Sequence, residues 1–191
     1  ADDLSLIERI NAMAPPIWVP NNLIRVGDKT DDPERLGILY VHQMFTRRNL
    51  IALGYAMKYA KSLHAKFTIT AAMSTTSKLN KYSLKVKTGK GTLSGTLCIT
   101  SLHIEKNVFD AIQRKFNDIE KAIYPASNTT ITQCGSLASV PNIPNNSIDY
   151  IFTDPPFGDN LNYSELNFIW ESWIKVITRT ETEAIVSPKQ G

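Results

Sequence analysis

The prediction of an α/β fold rests on one stretch near the C-terminal end, Ile148-Asp149-Tyr150-Ile151-Phe152-Thr153-Asp154-Pro155-Pro156-Phe157. Its first six residues are rich in β-branched and aromatic side chains, which predicts a buried strand. The two prolines that follow fix the backbone and remove two amide donors, so they end the strand in a rigid loop. Because ligand sites of open α/β sheets lie beyond the carboxyl ends of strands, we expect functional chemistry at residues 154–157.

The sequence on either side of this stretch predicts more of an α/β sheet. A second strand is predicted over residues 129–133, which read Thr-Thr-Ile-Thr-Gln. A helix is predicted to begin after Asn162, whose side chain can cap it while Glu165 reaches back to form a capping box. The expected buried stripe of that helix comprises Leu166, Trp170, Trp173 and Ile177. Strands followed by helices favour part of a parallel sheet.

The first two thirds of the chain have a different pattern, with helical periodicity and few strand signals. Apolar residues at three-and-four spacing predict helices over residues 46–64 and 109–123. Residues 66–80 begin with a strand-like run at 67–70, but the absence of Gly and Pro favours helix over strand for this segment. One short helix is expected in the punctuated N-terminal segment before residue 35. We therefore expect a mainly helical, basic region over residues 1–125 and a partial catalytic region over residues 126–191.

The charge distribution is the most informative part of the composition. The 191 residues carry a net charge of +3, yet no acidic residue occurs from Arg35 to Ile104, where eleven are basic. A surface with one sign of charge attracts polyanions, although a solvated face balanced by acidic residues elsewhere is the alternative. Residues 78–95 combine lysines with glycines and are predicted to form a mobile basic loop. The candidate nucleic-acid contacts are Arg47, Arg48, Lys78, Lys81, Lys85, Lys87 and Lys90.

Other features exclude several classes of protein. The chain has no apolar run of 18 residues and no secretory signal pattern, so we expect a cytoplasmic protein that does not enter the membrane. Cys98 and Cys134 lie outside any metal-type spacing, so neither a metal site nor a disulfide framework is expected. The chain starts at Ala1 and ends in a polar tail, and we expect it to be an excerpt of a longer polypeptide.

The residue types after the predicted strand suit one particular chemistry. The Asp154 carboxylate and the Pro155 carbonyl can each accept one N–H of an exocyclic amine on a nucleobase. Phe157 can stack on that base, which must first leave the duplex, and Pro156 stiffens the loop. The alternative is a rigid turn with no chemical role.

The segment from Asn146 to Gly158 resembles the catalytic motif of the amino-group DNA methyltransferases, which modify adenine N6 or cytosine N4 using S-adenosylmethionine. Residues 163–173, 45–50 and 77–82 are similar to one subgroup of large putative DNA methylases. The resemblance implies a partial Rossmann-like methyltransferase sheet with a largely helical basic region inserted before the catalytic strand. It also implies DNA and the remainder of the parent methylase polypeptide as partners. The catalytic residues it implies are Asp154, Pro155, Pro156 and Phe157.

The chain departs from the family pattern in one important respect. The glycine-rich signature that binds the cofactor after a strand is absent, and Gly89-Lys90-Gly91 in the lysine-rich loop is a poor substitute. We therefore expect half a cofactor pocket and an isolated fragment that is inactive. Family analogy favours adenine, because Asp heads the motif. The alternatives are an RNA guanine N2 methyltransferase and a nucleic-acid-binding or specificity module that is inactive on its own.

Overall fold

The computed structural model describes residues 2–123, 140–155 and 161–182, and these residues are mainly helical. A short N-terminal helix is confirmed, and it has no buried residue. The helices are α1 (Asp2–Ala12), α2 (Asp31–Arg35), α3 (Arg47–Tyr59), α4 (Leu63–Thr76), α5 (Val108–Ala122) and α6 (Tyr163–Ile174), with 3-10 turns at Val41–Met44 and Thr180–Thr182.

The helix predicted over residues 46–64 is shorter than expected, and a second helix follows it. Helix α3 begins after Thr46, whose hydroxyl accepts a hydrogen bond from the Asn49 amide at 3.3 Å. It ends at Tyr59, and Ser62 caps the start of α4 by accepting from the Ala65 amide at 3.0 Å. Helix α4 confirms the helix assigned to residues 66–80, with a shift of boundaries. The capping serine therefore places the break between the two helices at residues 60–62, earlier than the predicted boundary near residue 65.

Helix α5 confirms the helix predicted over residues 109–123. Asn107 caps it by accepting hydrogen bonds from the amides of Phe109 and Asp110 at 2.9 and 3.3 Å. Its apolar stripe is only partly covered, because Phe109 is 63% exposed and Phe116 is 42% exposed. Helix α5 packs mainly against α4 and also contacts α3.

One hydrophobic core joins the basic helices to α6. It contains side chains from the turn before α3, from α3, α4 and α6, and from the connecting loops. Trp173 is 1% exposed and meets the ring of Phe45 edge-on, with centroids 5.7 Å apart. The Trp170 Nε1–H donates to the Thr70 carbonyl at 3.1 Å. Helix α6 is therefore anchored on the helical region, while the proposed boundary near residue 125 lies outside the described residues.

The buried face of α6 differs from the predicted stripe. Trp173 is buried as expected, but Leu166, Trp170 and Ile177 are only partly buried. The fully covered apolar positions of this helix also include Phe168 and Ile169. The helix is covered on more than one side, so a single stripe underestimates its buried surface.

The segment predicted as a mobile basic loop forms a short hairpin. Strands β1 (Tyr82–Ser83) and β2 (Thr88–Gly89) pair in antiparallel register. Asn80 is 1% exposed and ties the hairpin to the body, because its amide donates to the Thr75 carbonyl at 2.8 Å and its Oδ1 accepts from the Gly91 amide at 3.0 Å. The sequence prediction missed these strands because each is only two residues long.

The expected parallel sheet is not seen among the described residues, whose only named sheet is this two-stranded antiparallel one. Residues 148–153 form no strand, and the large apolar side chains of this segment are exposed. The predicted strand over 129–133 lies outside the described residues. A strand needs hydrogen-bond partners along its edges, and no described residue supplies them to residues 148–153, so this prediction is wrong for the described chain.

Within the described ranges, no helix combines the length and the apolar character needed to cross a membrane.

Candidate functional site

A cavity of about 560 Å³ opens beside the start of helix α3. Three basic side chains line it, namely His42 from the 3-10 turn, Arg47 from the first turn of α3, and Lys78 from the segment after α4. Phe45 and Leu50 supply apolar wall. The structure thus brings together Arg47 and Lys78, two of the predicted nucleic-acid contacts, and adds a histidine to them.

Local hydrogen bonds hold these side chains in place. The Gln43 Oε1 accepts from the amides of Leu39 and Tyr40 at 2.7 and 2.9 Å, which fixes the turn that carries His42. The rings of His42 and Tyr40 are stacked with centroids 5.7 Å apart. The Lys78 amide donates to the Met44 carbonyl at 2.8 Å and joins the segment after α4 to the same turn.

The cavity is electrostatically unfavourable for its own side chains. Burial, and then the charge of Arg47, lower the pKa of His42 from 6.5. Burial also lowers the pKa of Lys78 from 10.5. The His42 Nδ1 atom is buried and has no hydrogen-bond partner among the described residues. In each case the folded chain disfavours a charge that an anion in the cavity would favour.

Arg48, the neighbour of Arg47, has a different environment. Its Nε donates to Glu105 Oε1 at 3.1 Å, and its Nη2 lies 3.0 Å from Glu105 Oε2. The Thr46 hydroxyl donates to the same carboxylate at 2.5 Å. Arg48 is therefore paired with a carboxylate of the chain while its side chain stays 60% exposed, and its assignment as a nucleic-acid contact stays a prediction.

The remaining predicted contacts lie on or beside the hairpin. Lys85 and Lys87 are exposed in its turn, where Lys87 adopts a left-handed conformation with φ of 51°. Lys90 is exposed after β2, and its amide donates to the Lys81 carbonyl at 3.0 Å. Lys81 is half-buried and forms an isolated bridge with His103. The hairpin therefore presents three exposed lysines on a short ordered support.

The predicted catalytic loop is described only in its first half. Asp154 and Pro155 are exposed, whereas Pro156 and Phe157 lie outside the described residues. The apolar run before them is also exposed, with Tyr150 at 80% and Phe152 at 83%. The first acceptor pair of the motif is therefore open to solvent at the end of an exposed apolar segment.

The start of α6 is held by a buried carboxyl group. Glu165 is 1% exposed, and its Oε2 accepts from the Lys29 amide at 2.7 Å while its Oε1 accepts from the Asn162 side-chain amide at 3.1 Å. The Asn162 side chain makes no capping hydrogen bond, so the predicted capping box is wrong. A Cβ at Gly27 would lie 2.2 Å from the Glu165 carboxyl carbon, so any other residue there would displace this carboxyl group.

Sequence reasoning missed two parts of this arrangement. In the sequence His42 has no cluster of partner residues, which favours an ordinary surface or core histidine, and its position five residues before Arg47 in the acid-free stretch is its one available signal. The loop at Gly27 and Lys29 gave no signal that it meets a carboxyl group some 136 residues later.

A second cavity of about 460 Å³ lies between α3, α4 and α6. Trp18, Trp173, Lys58, Lys66 and Lys175 are among its lining residues. The Lys175 Nζ lies 4.0 Å from the centroid of the Trp18 ring, a cation–π contact that occupies one face of the exposed tryptophan.

Neither of these two cavities fits S-adenosylmethionine. The cofactor carries a positive sulfonium centre, and both cavities are lined by cationic side chains that repel it. In the described ranges there is also no group of three or more His, Cys, Asp or Glu side chains placed to hold a metal ion.

Comparison of the chain with models of known protein families, with curated proteins and with solved structures finds no match.

Proposed function

We propose that this chain is the DNA-contacting and base-presenting part of an amino-group DNA methyltransferase that acts on a flipped base, with adenine N6 as the target. The observation that carries the proposal is the setting of Asp154 and Pro155. They are exposed at the end of an apolar segment and lie shortly before a helix that is anchored in the basic region. This setting leaves both acceptors accessible to a base.

The chemistry follows from the two acceptors. The lone pair of an exocyclic amine is delocalised into the base, so the nitrogen is a poor nucleophile. The Asp154 carboxylate and the Pro155 carbonyl each accept one N–H, which favours a pyramidal nitrogen with its lone pair directed away from them. The carboxylate also stabilises the positive charge that develops on nitrogen. Pro156 would stiffen this loop and Phe157 would stack on the base, as the resemblance implies.

The apolar run before the motif supports a partner that completes the sheet. Ile148, Tyr150, Ile151 and Phe152 are between 52% and 83% exposed. A contiguous exposed run of this kind usually marks an interaction surface, and its composition is that of a buried strand. In our proposal, residues 148–153 become the catalytic strand of a Rossmann-like sheet by pairing with strands from the rest of the parent methylase. That part also binds S-adenosylmethionine, the methyl donor of the family that the sequence resembles.

The basic region supplies the affinity for nucleic acid. The lysines of the hairpin and the cavity side chains Arg47 and Lys78 belong to a stretch of the sequence that contains no acidic residue. Contacts from such side chains to backbone phosphates hold and orient DNA without reading its sequence.

The test uses the natural polypeptide that contains these residues, incubated with duplex DNA and S-adenosylmethionine labelled in its methyl group. Asp154→Ala is expected to reduce methyl incorporation by at least about a hundredfold, because it removes one of two acceptors on the reacting amine. Retention of the duplex is expected to stay within about twofold of wild type, since the carboxylate adds nothing to phosphate binding.

Asp118→Ala is the matched control, because this residue is an exposed aspartate on helix α5 and lies outside the motif at residues 146–158. It is expected to keep methyl incorporation near wild type. Activity of Asp154→Ala close to that of wild type would refute the proposal. Incorporation into ribosomal RNA but not into duplex DNA would refute DNA as the substrate and favour the RNA guanine reading.

A further inference from the structure

We infer that the cavity beside the start of helix α3 is a phosphate-binding pocket, in which Arg47, Lys78 and His42 contact the phosphate oxygens. The inference deepens the proposed function and rests on the phosphate contacts assigned there to Arg47 and Lys78, but neither Asp154 nor Pro155 lines the pocket, which makes no use of methyl transfer. It places Arg47 and Lys78, two of the basic residues in the seventy-residue stretch without acidic residues, in one site.

The first argument is the convergence of positive charge without a counter-ion. The three basic side chains come from three separate segments, and no residue that lines the cavity carries a carboxyl group. Neither Arg47 nor Lys78 forms an ion pair with any described residue. Grouping like charges in a partly buried space costs free energy, so the chain gains from an anion that enters it.

The second argument is the hydrogen-bonding capacity of the cavity. The buried Nδ1 of His42 has no partner among the described residues, and a ligand oxygen would supply one. The guanidinium of Arg47 offers a planar fork that matches two phosphate oxygens, and the Lys78 ammonium adds a point charge. The first turn of the 13-residue helix α3 adds the positive end of its dipole.

The third argument is the contrast between neighbouring arginines. Glu105 binds Arg48 through both carboxylate oxygens and also accepts a hydrogen bond from the Thr46 hydroxyl. Glu105 itself is not among the residues that line the cavity. The chain thus pairs Arg48 with a carboxylate, whereas the neighbouring Arg47 lines an open cavity. A purely structural role for both arginines would not require this difference.

The cavity is large enough to hold a phosphate group and leaves further space beside it. A cavity of about 560 Å³ is within the usual range for small-ligand sites, and the apolar wall from Phe45 and Leu50 strengthens the charge interactions inside it. The phosphate can belong to a nucleic-acid backbone or to a free phosphate monoester. The experiment must therefore separate these two sources.

The experiment titrates the full chain separately with inorganic phosphate, with adenosine 5′-monophosphate and with a short DNA duplex, using calorimetry. Arg47→Gln is expected to weaken binding of whichever phosphate species the wild type binds by about tenfold to a hundredfold, the usual worth of a charge-assisted hydrogen bond. If the duplex is the ligand, the same change lowers the salt dependence of binding by about one phosphate contact.

Arg114→Gln is the matched control, because it removes the same charge from an exposed position on helix α5 outside the cavity. It is expected to leave phosphate binding within about twofold of wild type. Arg47→Lys, which keeps the charge but loses the fork, is expected to bind with intermediate affinity.

A measurement on the wild-type chain protects the test against a variant that fails to fold. Addition of a phosphate ligand that enters the pocket is expected to shift the nitrogen-15 resonance of His42 Nδ1. Binding of inorganic phosphate or of the mononucleotide assigns the pocket to free ligands, and binding of the duplex alone assigns it to backbone phosphate. In either case the binding must be weakened in Arg47→Gln. The pocket is excluded if His42 is unperturbed by all three ligands, or if Arg47→Gln binds as well as wild type. Asp154→Ala should bind phosphate normally, so the two proposals fail independently.

Discussion

The start of α6 and the start of α3 both bury ionisable side chains, but the chain treats them differently. At α6 the Glu165 carboxyl group is fully buried and receives hydrogen bonds from the Lys29 amide and the Asn162 side chain. At α3 the cations Arg47 and Lys78 and the His42 ring line an open cavity without any described carboxyl group. Buried polar groups are normally satisfied by the chain itself. The Glu165 carboxyl group, which has donors from the chain, therefore marks structure, and the cations without a described counter-ion mark a site for an anionic ligand.

The largest expected effect tests the structural half of this comparison. Glu165→Ala is expected to lower the free energy of unfolding by about 3 kcal/mol, because it removes a buried carboxyl group that accepts from the part-buried Lys29 amide and is one of two acceptors of the Asn162 side chain. Urea denaturation measures the change. Glu120→Ala is the control, since this carboxyl group is half exposed in a pair with His64 and is worth at most about 0.5 kcal/mol. A change of Glu165→Ala no larger than that of the control would remove the structural assignment.

Part of this arrangement could be predicted from the sequence. Periodicity identified α5 and most of α3, and the acid-free stretch contained Arg47 and Lys78, because helical spacing and charge are local properties. Asn162 was correctly expected at the N-terminus of α6, although its side chain turns instead to Glu165 and Asp28. Capping rules use only neighbouring residues, so they cannot predict that the loop at Gly27 approaches the same carboxyl group.

The rest depended on contacts between distant segments. The hairpin is held by Asn80, which bonds to residues on both sides of it, and no propensity scale registers such an anchor. Residues 148–153 have strand composition but no described neighbour to pair with, since a strand is completed by its partners. His42 joined the cavity because Gln43 fixes its turn. The motif at Asp154 remains a prediction from sequence alone.

A second prediction sharpens the ligand half of the comparison. In buffer free of phosphate, Lys78→Met is expected to raise the free energy of unfolding by up to about 1 kcal/mol, because it replaces a desolvated, unpaired ammonium with an apolar chain of similar shape. Its backbone bond to Met44 is unaffected. Arg48→Met is the contrasting variant, and it is expected to lower stability by about 0.5 kcal/mol through loss of the Glu105 pair. A loss of stability in Lys78→Met would show that Lys78 is paired in solution and would break the contrast.

The smallest expected effect is a pH dependence that a ligand changes. The pKa of His42 is lowered in the folded chain, so the unfolded chain takes up the proton first as the pH falls below about 6.5. Stability contributed by neutral His42 is therefore present above 6.5 and is lost as the pH falls from 6.5 toward the folded value.

Urea midpoints measured above and below this range, for wild type and His42→Gln, isolate the contribution of this ring from those of other groups. Wild type is expected to lose more stability on acidification than His42→Gln does. Phosphate is expected to reduce that difference, because a bound anion favours protonated His42 and so raises its pKa. If the two proteins lose the same stability on acidification, the pKa of His42 is not lowered by its surroundings. An unchanged difference in phosphate would mean that no anion reaches it, and the start of α3 would then be as purely structural as the start of α6.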